Sequence, residues 1–293
     1  MFIATLVAPD GLKAGDISLA ADAVRGKAGP IVDGVACDIS FSSDVLSPGA
    51  SLERNALENV LPGLDVIVQV EADRRRSLLV ADMDSTMITV ECIDELADYV
   101  GLKAEVAEVT ERAMRGEIDF AGALRDRVAL LAGMPETTVS ECLRERIKIM
   151  GGAKALVRTL RNNGGYALLV SGGFTHFTGP VAAEIGFDRA IANRLMMQDG
   201  LLTGKTEQPI VDAETKRASL LGELSTRGLA ASACMAVGDG ANDIPMIAVA
   251  GLGVAYHAKP KTEAAADARV RIGDLSVILY AMGFARADWA TES

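Results

Sequence analysis

The chain has 293 residues, 49% hydrophobic and 24% charged, and its 29 basic against 40 acidic residues give a net charge of −11. This composition excludes a disordered or collagen-like chain and supplies core material for about two domains. A net-acidic chain lacks the basic face that general nucleic-acid binding needs, but it leaves room for a small anionic substrate in a local basic pocket.

Residues 1–73 carry eleven acids and four bases. Their pattern predicts a strand over 2–7, a helix over 17–25, a strand over 35–41, a helix over 52–60 and a strand over 64–70, a small α+β unit. The run Glu71-Ala-Asp-Arg-Arg-Arg76 reads as a short, solvated connector. Beyond it, 77–81 is an apolar run that suits a buried parallel strand. A mostly helical stretch follows over 92–150. Further buried strands are expected over 167–171, 233–237 and 251–254, and Met197-Gln-Asp-Gly200 reads as a hairpin turn. Strands separated by helical patterns argue for an open α/β sheet, which binds ligands beyond the carboxyl ends of its strands.

Cys37, Cys92, Cys142 and Cys234 show no C-x-x-C spacing, so they read as small core residues in a reducing compartment. His176, His257 and the Met196-Met197 pair read as packing or loop residues. The N-terminus has no basic, then apolar, leader pattern, and the apolar runs are too short or broken to span a bilayer. A cytoplasmic protein without membrane or nucleic-acid partners is the expectation.

Asp82-Met83-Asp84-Ser85-Thr86 follows the first buried strand. Residues two apart point the same way on an extended chain, so both carboxylates can face one ligand. Their mutual repulsion is relieved by a divalent cation or by a retained proton. The pair suits a nucleophile, Asp82, and a general acid and base, Asp84; it equally suits turn aspartates ahead of a helix. Gly238-Asp-Gly-Ala-Asn-Asp243 follows another strand, with Asp239 and Asp243 as oxygen donors for a hard cation, or as a capped turn. Ser171-Gly172-Gly173 ends a third strand, either as a Gly-rich turn or as a phosphate cradle of hydroxyl and backbone N–H groups. Lys216, near a helix start, is either a surface lysine or a cation that offsets a carboxylate–phosphate site. Glu91 alone reads as a helix-start acid, Arg127 as a helix-surface base, and Met114 and Phe120 as core.

Asp82–Thr86, Glu91-Cys-Ile-Asp-Glu-Leu-Ala97, Ser171-Gly-Gly-Phe174, Lys216 and Gly238–Asp243 together resemble the phosphoserine phosphatase family of the haloacid dehalogenase superfamily. The resemblance covers about residues 76–285. It implies an α/β fold: a Rossmann-like open parallel sheet in 74–293 with a helical cap over about 92–150, preceded by a ferredoxin-like, ACT-like α+β domain in 1–73. It also implies Mg²⁺-dependent hydrolysis of O-phospho-L-serine, the last step of L-serine biosynthesis, through an aspartyl-phosphate on Asp82. Asp84 would act as the proton carrier. Mg²⁺ would be held by Asp82, the Asp84 carbonyl, Asp239 and, directly or through water, Asp243. Ser171, Gly172 and Lys216 would cradle the phosphoryl group and Asn242 would orient that shell. Glu91 would take the substrate ammonium and Arg127, with Arg125 as its rival, the carboxylate. Met114 and Phe120 would supply an apolar wall. The ACT-like region implies a homodimer. Other readings are the same chemistry on phosphohomoserine or phosphothreonine, a phosphate-relay receiver, or an idle amino-acid-sensing regulator.

Overall fold

The computed structural model describes residues 1–42, 51–114 and 117–290, with the side chains of residues 113 and 114 outside that description. The first unit runs β1 (Phe2–Val7), α1 (Ala14–Val24), β2 (Lys27–Val32), β3 (Ala36–Phe41), α2 (Ser51–Val60) and β4 (Asp65–Val70). β1 lies antiparallel between β3 and β4, and β2 pairs antiparallel with β3, so the order β2-β3-β1-β4 is that of a ferredoxin-like βαββαβ unit. Both helices cover one face, where Leu6, Ile39, Leu57 and Val68 are buried together. β2 has no counterpart in the sequence expectation. It is an outer strand with no fully buried residue, and Gly29 and Pro30 break its pattern. Proline is tolerated there because a ladder N–H is needed on only one side of an edge strand.

The second sequence of elements starts with β5 (Leu78–Ala81) and four helices: α3 (Cys92–Tyr99), α4 (Lys103–Met114), α5 (Phe120–Leu130) and α6 (Glu136–Arg146). It continues through α7 (Ala153–Asn162), β6 (Tyr166–Phe174), α8 (Thr175–Ile185), β7 (Arg189–Asn193) and the hairpin β8 (Leu195–Gln198) and β9 (Leu201–Thr206). The hairpin turns at Asp199 and Gly200, both at positive φ, as the sequence led one to expect. Then follow α9 (Ala213–Arg227), β10 (Cys234–Gly238), α10 (Ile244–Ile247), β11 (Leu252–Tyr256), α11 (Pro260–Ala265), β12 (Ala268–Val270) and α12 (Ser276–Ala281).

β12, β11, β10, β5, β6 and β7 pair in parallel in that order. β5 and β10 are buried along their whole length, which is why they read as unbroken apolar runs. β5 has later strands on both sides, β10 and β6, and this reversal opens a crevice at their carboxyl ends. All four cysteines are buried and unbridged. Among the described residues, no helix is long and apolar enough to cross a membrane.

The two units share one ten-stranded sheet, because β4 pairs antiparallel with β12 where Val66 meets Arg269. Polar contacts reinforce this seam. The buried Asp65 carboxylate accepts the backbone N–H groups of Arg271, Ile272 and Gly273 at 2.7, 3.1 and 2.7 Å. Glu58 on α2 binds Arg269 at 2.6 Å, and the Arg54 guanidinium donates to the carbonyls of Ala266 and Asp267. The run at 71–76 is not the solvated connector its charge suggested. Arg74 pairs with Asp38 at 3.0 Å, and Arg75 lies 3.6 Å over the Phe284 ring. Arg76 is buried, donating to the Ser232 carbonyl at 2.6 Å and to Gln69 Oε1 at 3.0 Å. A guanidinium carries five donors in a flat fork, so a basic run can be drawn into a seam rich in carbonyls.

Candidate active site

β5 ends at Asp82, whose N–H still joins the ladder by donating to the Val237 carbonyl at 3.0 Å. Met83 then turns into the core, which leaves Asp82 and Asp84 on the other side of the chain. The loop is pinned from within: Thr86, Met87 and Ile88 all donate their N–H groups to the Met83 carbonyl, and Ser85 sits at φ 55°. Asp84 Oδ1 accepts the Cys92 N–H at the start of α3 at 3.0 Å, and Oδ2 accepts the Ser171 hydroxyl at 3.3 Å. Ser85 donates to Glu91 Oε1 at 2.7 Å.

The turn after β10 meets this loop. Thr86 Oγ1 donates to Asp239 Oδ1 at 3.3 Å, and the Gly240 N–H donates to Asp243 Oδ2 at 3.0 Å. Gly238 has to be glycine, since a Cβ there would lie 2.4 Å from the Asp243 carboxyl carbon. α9 brings up Lys216; its first turn is capped by Asp212, which accepts the Thr215 N–H at 2.8 Å. The buried Lys216 ammonium reaches Asp82 Oδ1 and Asp243 Oδ1, each at 2.7 Å.

Over the strand ends lies a cavity of about 120 Å³. Asp82, Asp84, Glu91, Arg127, Gly172, Asp239, Asn242 and Phe120 all border it, so residues from four separate chain segments converge there. Lys216, Ser171 and Asp243 stand behind its wall. The Met114 side chain is outside the described residues. Arg125 borders a different groove, between α5 and β9. Several bordering or bracing residues had no assigned part in the sequence reading. Ile93 and Leu124 complete the apolar wall, and Lys259 borders the cavity beside Asp239. At Gly173, a Cβ would lie 2.7 Å from Asp84 Oδ2. Asn193 braces the end of β6 by donating to the Gly172 carbonyl at 2.8 Å and accepting the Val211 N–H at 2.7 Å. Thr86 and Gly173 lay inside motifs already conspicuous in the sequence; Asn193 and Lys259 carry no local signal.

Burial governs the electrostatics. It pushes the Asp84 carboxyl up to about 6, with Glu91 adding to the effect. Burial, then Asp243 and Glu91, push Asp239 up to about 6 as well. Asp82 is raised by burial and by Asp243 against the pull of Lys216. Burial pulls the Lys216 ammonium down, but Asp243 and Asp82 outweigh it and hold the lysine above its ordinary range. Burial lowers Arg127, which faces the carboxylates of Asp94, Glu91 and Asp84.

Three carboxylates, from Asp82, Asp239 and Asp243, offer oxygens within 4.8 Å of one another, against a single ammonium. An all-oxygen, excess-negative set of this kind fits a hard divalent cation. The Asp84 carboxylate is not part of it, being turned to Cys92 and Ser171.

Residues 79–248 match the model of the haloacid dehalogenase-like hydrolases. A phosphoserine phosphatase of Polaromonas is 47% identical over 207 residues, covering 69% of this chain and 88% of that protein. The unliganded structure of a probable phosphoserine phosphatase from Vibrio cholerae superposes with a TM-score of 0.75 at 34% identity, over 96% of this chain and 86% of that one. A HAD-family hydrolase from Salmonella enterica serovar Typhi has the same fold, with a TM-score of 0.86 at 23% identity over 96% and 99% of the two chains. A model matched over more than half the chain and a relative nearly half identical along most of its own length lead to one assignment: the chain belongs to the haloacid dehalogenase-like hydrolase family.

Proposed function

We propose that this chain hydrolyses O-phospho-L-serine to L-serine and phosphate, the closing step of L-serine biosynthesis. The observation that carries the reading is that one cavity is bordered by the Asp82–Asp84 pair and by an acid and a base, Glu91 and Arg127, suited to the ammonium and carboxylate of an amino acid. Relatives named phosphoserine phosphatase, at 39–47% identity, support the same substrate.

In the first half-reaction an Asp82 carboxylate oxygen attacks phosphorus. The bond from phosphorus to the serine oxygen breaks, and the Asp84 carboxyl gives that oxygen its proton. In the second, the Asp84 carboxylate takes a proton from water as the water oxygen attacks phosphorus, which frees phosphate and restores Asp82. A carboxyl held near 6 is suited to both directions of transfer at neutral pH. Bound Mg²⁺ would supply positive charge against the phosphoryl oxygens. Asp82, the Asp84 carbonyl, Asp239 and Asp243 would hold it. Ser171, the Gly172 N–H, Lys216 and Asn242 would position the phosphoryl group. Glu91 and the Arg127 fork would take the amino-acid end, and Phe120 and Met114 would keep water away. We also read residues 1–73 as an ACT-like domain, 74–293 as the phosphatase domain with its cap at about 92–150, and the protein as a cytoplasmic homodimer.

The test is a panel of phosphomonoesters with Mg²⁺ and phosphate detection, run on wild type and Asp82→Asn. Multiple turnover on phosphoserine, lost in Asp82→Asn with the fold intact, is expected. Equal turnover of phosphoserine and esters lacking the amino-acid end would overturn the substrate reading.

A further inference from the structure

The proposed reaction leaves one charge on the cavity wall without a task. Four carboxylates border the space, from Asp82, Asp84, Glu91 and Asp239, against two cations, Arg127 and Lys259. Lys216 does not relieve this imbalance at the surface, because it is buried and committed to Asp82 and Asp243. Arg127 comes from the helical insertion, on the side of Glu91. Lys259 comes from the sheet side, beside Asp239, whose carboxyl it pulls down against the effect of burial.

The backbone of Lys259 is fixed. Its N–H donates to the Asp239 carbonyl at 3.1 Å, and its own carbonyl accepts the N–H groups of Thr262 and Glu263 at 2.9 and 3.0 Å at the start of α11. Its side chain is exposed. A compact, hydrated ammonium on a four-carbon tether is thus anchored by its backbone at the cavity rim, beside Asp239. An incoming phosphate monoester dianion meets a chain of net charge −11, so its approach is favoured beside the cations that border the cavity, Lys259 and Arg127, and beside a divalent cation held by Asp82, Asp239 and Asp243.

We propose that Lys259 is a substrate-capture residue that draws the phosphate end of a dianionic monoester over Asp239 toward Asp82, opposite the Arg127 side. This inference rests on the phosphatase reading. It assigns Lys259 to capture of the dianion and of inorganic phosphate rather than to bond breaking, which separates its effect from those of Asp82 and Asp84.

The experiment compares wild type, Lys259→Met and Lys259→Arg in kcat and kcat/KM on phosphoserine, and in the inhibition constant of inorganic phosphate, at low and high salt. Lys259→Met should lower kcat/KM about tenfold at low salt, with the gap closing as salt rises, while kcat stays within about twofold. The inhibition constant of phosphate should rise by a similar factor, Lys259→Arg should restore most of both, and the melting temperatures should agree. A salt-independent loss, a loss confined to kcat, or failure of arginine to restore capture would overturn the proposal. If phosphoserine is not turned over by wild type, the substrate reading fails by itself. Phosphate binding, followed by calorimetry on the same variants, then decides on Lys259: a weakening in Lys259→Met that arginine reverses supports it, and unchanged binding overturns it.

Discussion

Lys216 Nζ lies 2.7 Å from Asp82 Oδ1, and both side chains are almost wholly withdrawn from water. The same ammonium binds Asp243, so one lysine from α9 ties together the ends of two central strands. Burying three charges is costly, and the triad holds only while each member has its partner. Lys216→Met should therefore lose about 3–5 kcal/mol of unfolding free energy in urea, together with turnover. A variant as stable as wild type would show that the cluster is discharged in another way.

Arg127 and Arg125 are two residues apart on α5 and so face different ways, the first into the cavity and the second into the groove beside β9. Arg127→Ala should raise KM for phosphoserine about 100-fold and leave that for an aryl phosphate nearly unchanged, since a guanidinium–carboxylate fork is lost. Arg127→Lys should recover little of it. Arg125→Ala should behave as wild type. Steady-state kinetics on the two esters checks all three.

Asp84 and Asp239 both sit near 6, against 3.8 for an ordinary aspartate. The folded chain binds these protons more tightly than the unfolded chain does. The resulting contribution to stability is complete below 3.8 and is lost as pH rises through about 6. Metal-free protein should gain from this source as pH falls from about 7.5 to about 5, and Asp239→Asn should flatten the trend. A divalent cation needs the ionised carboxylates, so the rise in Tm it causes should be larger at about pH 7.5 than at about pH 5. Thermal melts in EDTA and in Mg²⁺ at the two pH values give the comparison.

Asp65 accepts three backbone N–H groups from the far side of the seam. Asp65→Ala strands those donors and should cost about 3 kcal/mol, with Asp65→Asn costing less. Wild type should unfold in a single calorimetric transition that includes β1–β4. Two separate transitions would mean that the N-terminal strands melt on their own.

What could be read in the sequence follows what was doubly signalled. β5 and β10 were legible because strands buried on both faces are unbroken apolar runs, and Asp82, Asp84 and Asp239 stood out because each follows such a run. β2 was not legible, having no buried face to leave a period-2 pattern. The 71–76 run misled because charge density reports water affinity in isolation, whereas Arg76 finds its acceptors at Ser232 and Gln69, one of them far along the chain. Lys216 looked like any lysine near a helix start; its burial depends on α9 packing against strands that a local window does not see. Lys259 and Asn193 gave no signal for the same reason: their partners, Asp239 and Gly172, adjoin them only once the sheet is assembled.

The single hydrogen-bonded sheet also bears on truncation. Cutting the polypeptide ahead of β5 would not leave a tidy catalytic remnant. It would bare the β12 ladder, strand the Arg271–Gly273 amides that Asp65 now occupies, and remove the Gln69 amide from the Ala281 carbonyl. Such a naked rim is a template for self-association, so the shortened protein should precipitate or pair with itself unless a substitution blunts that border.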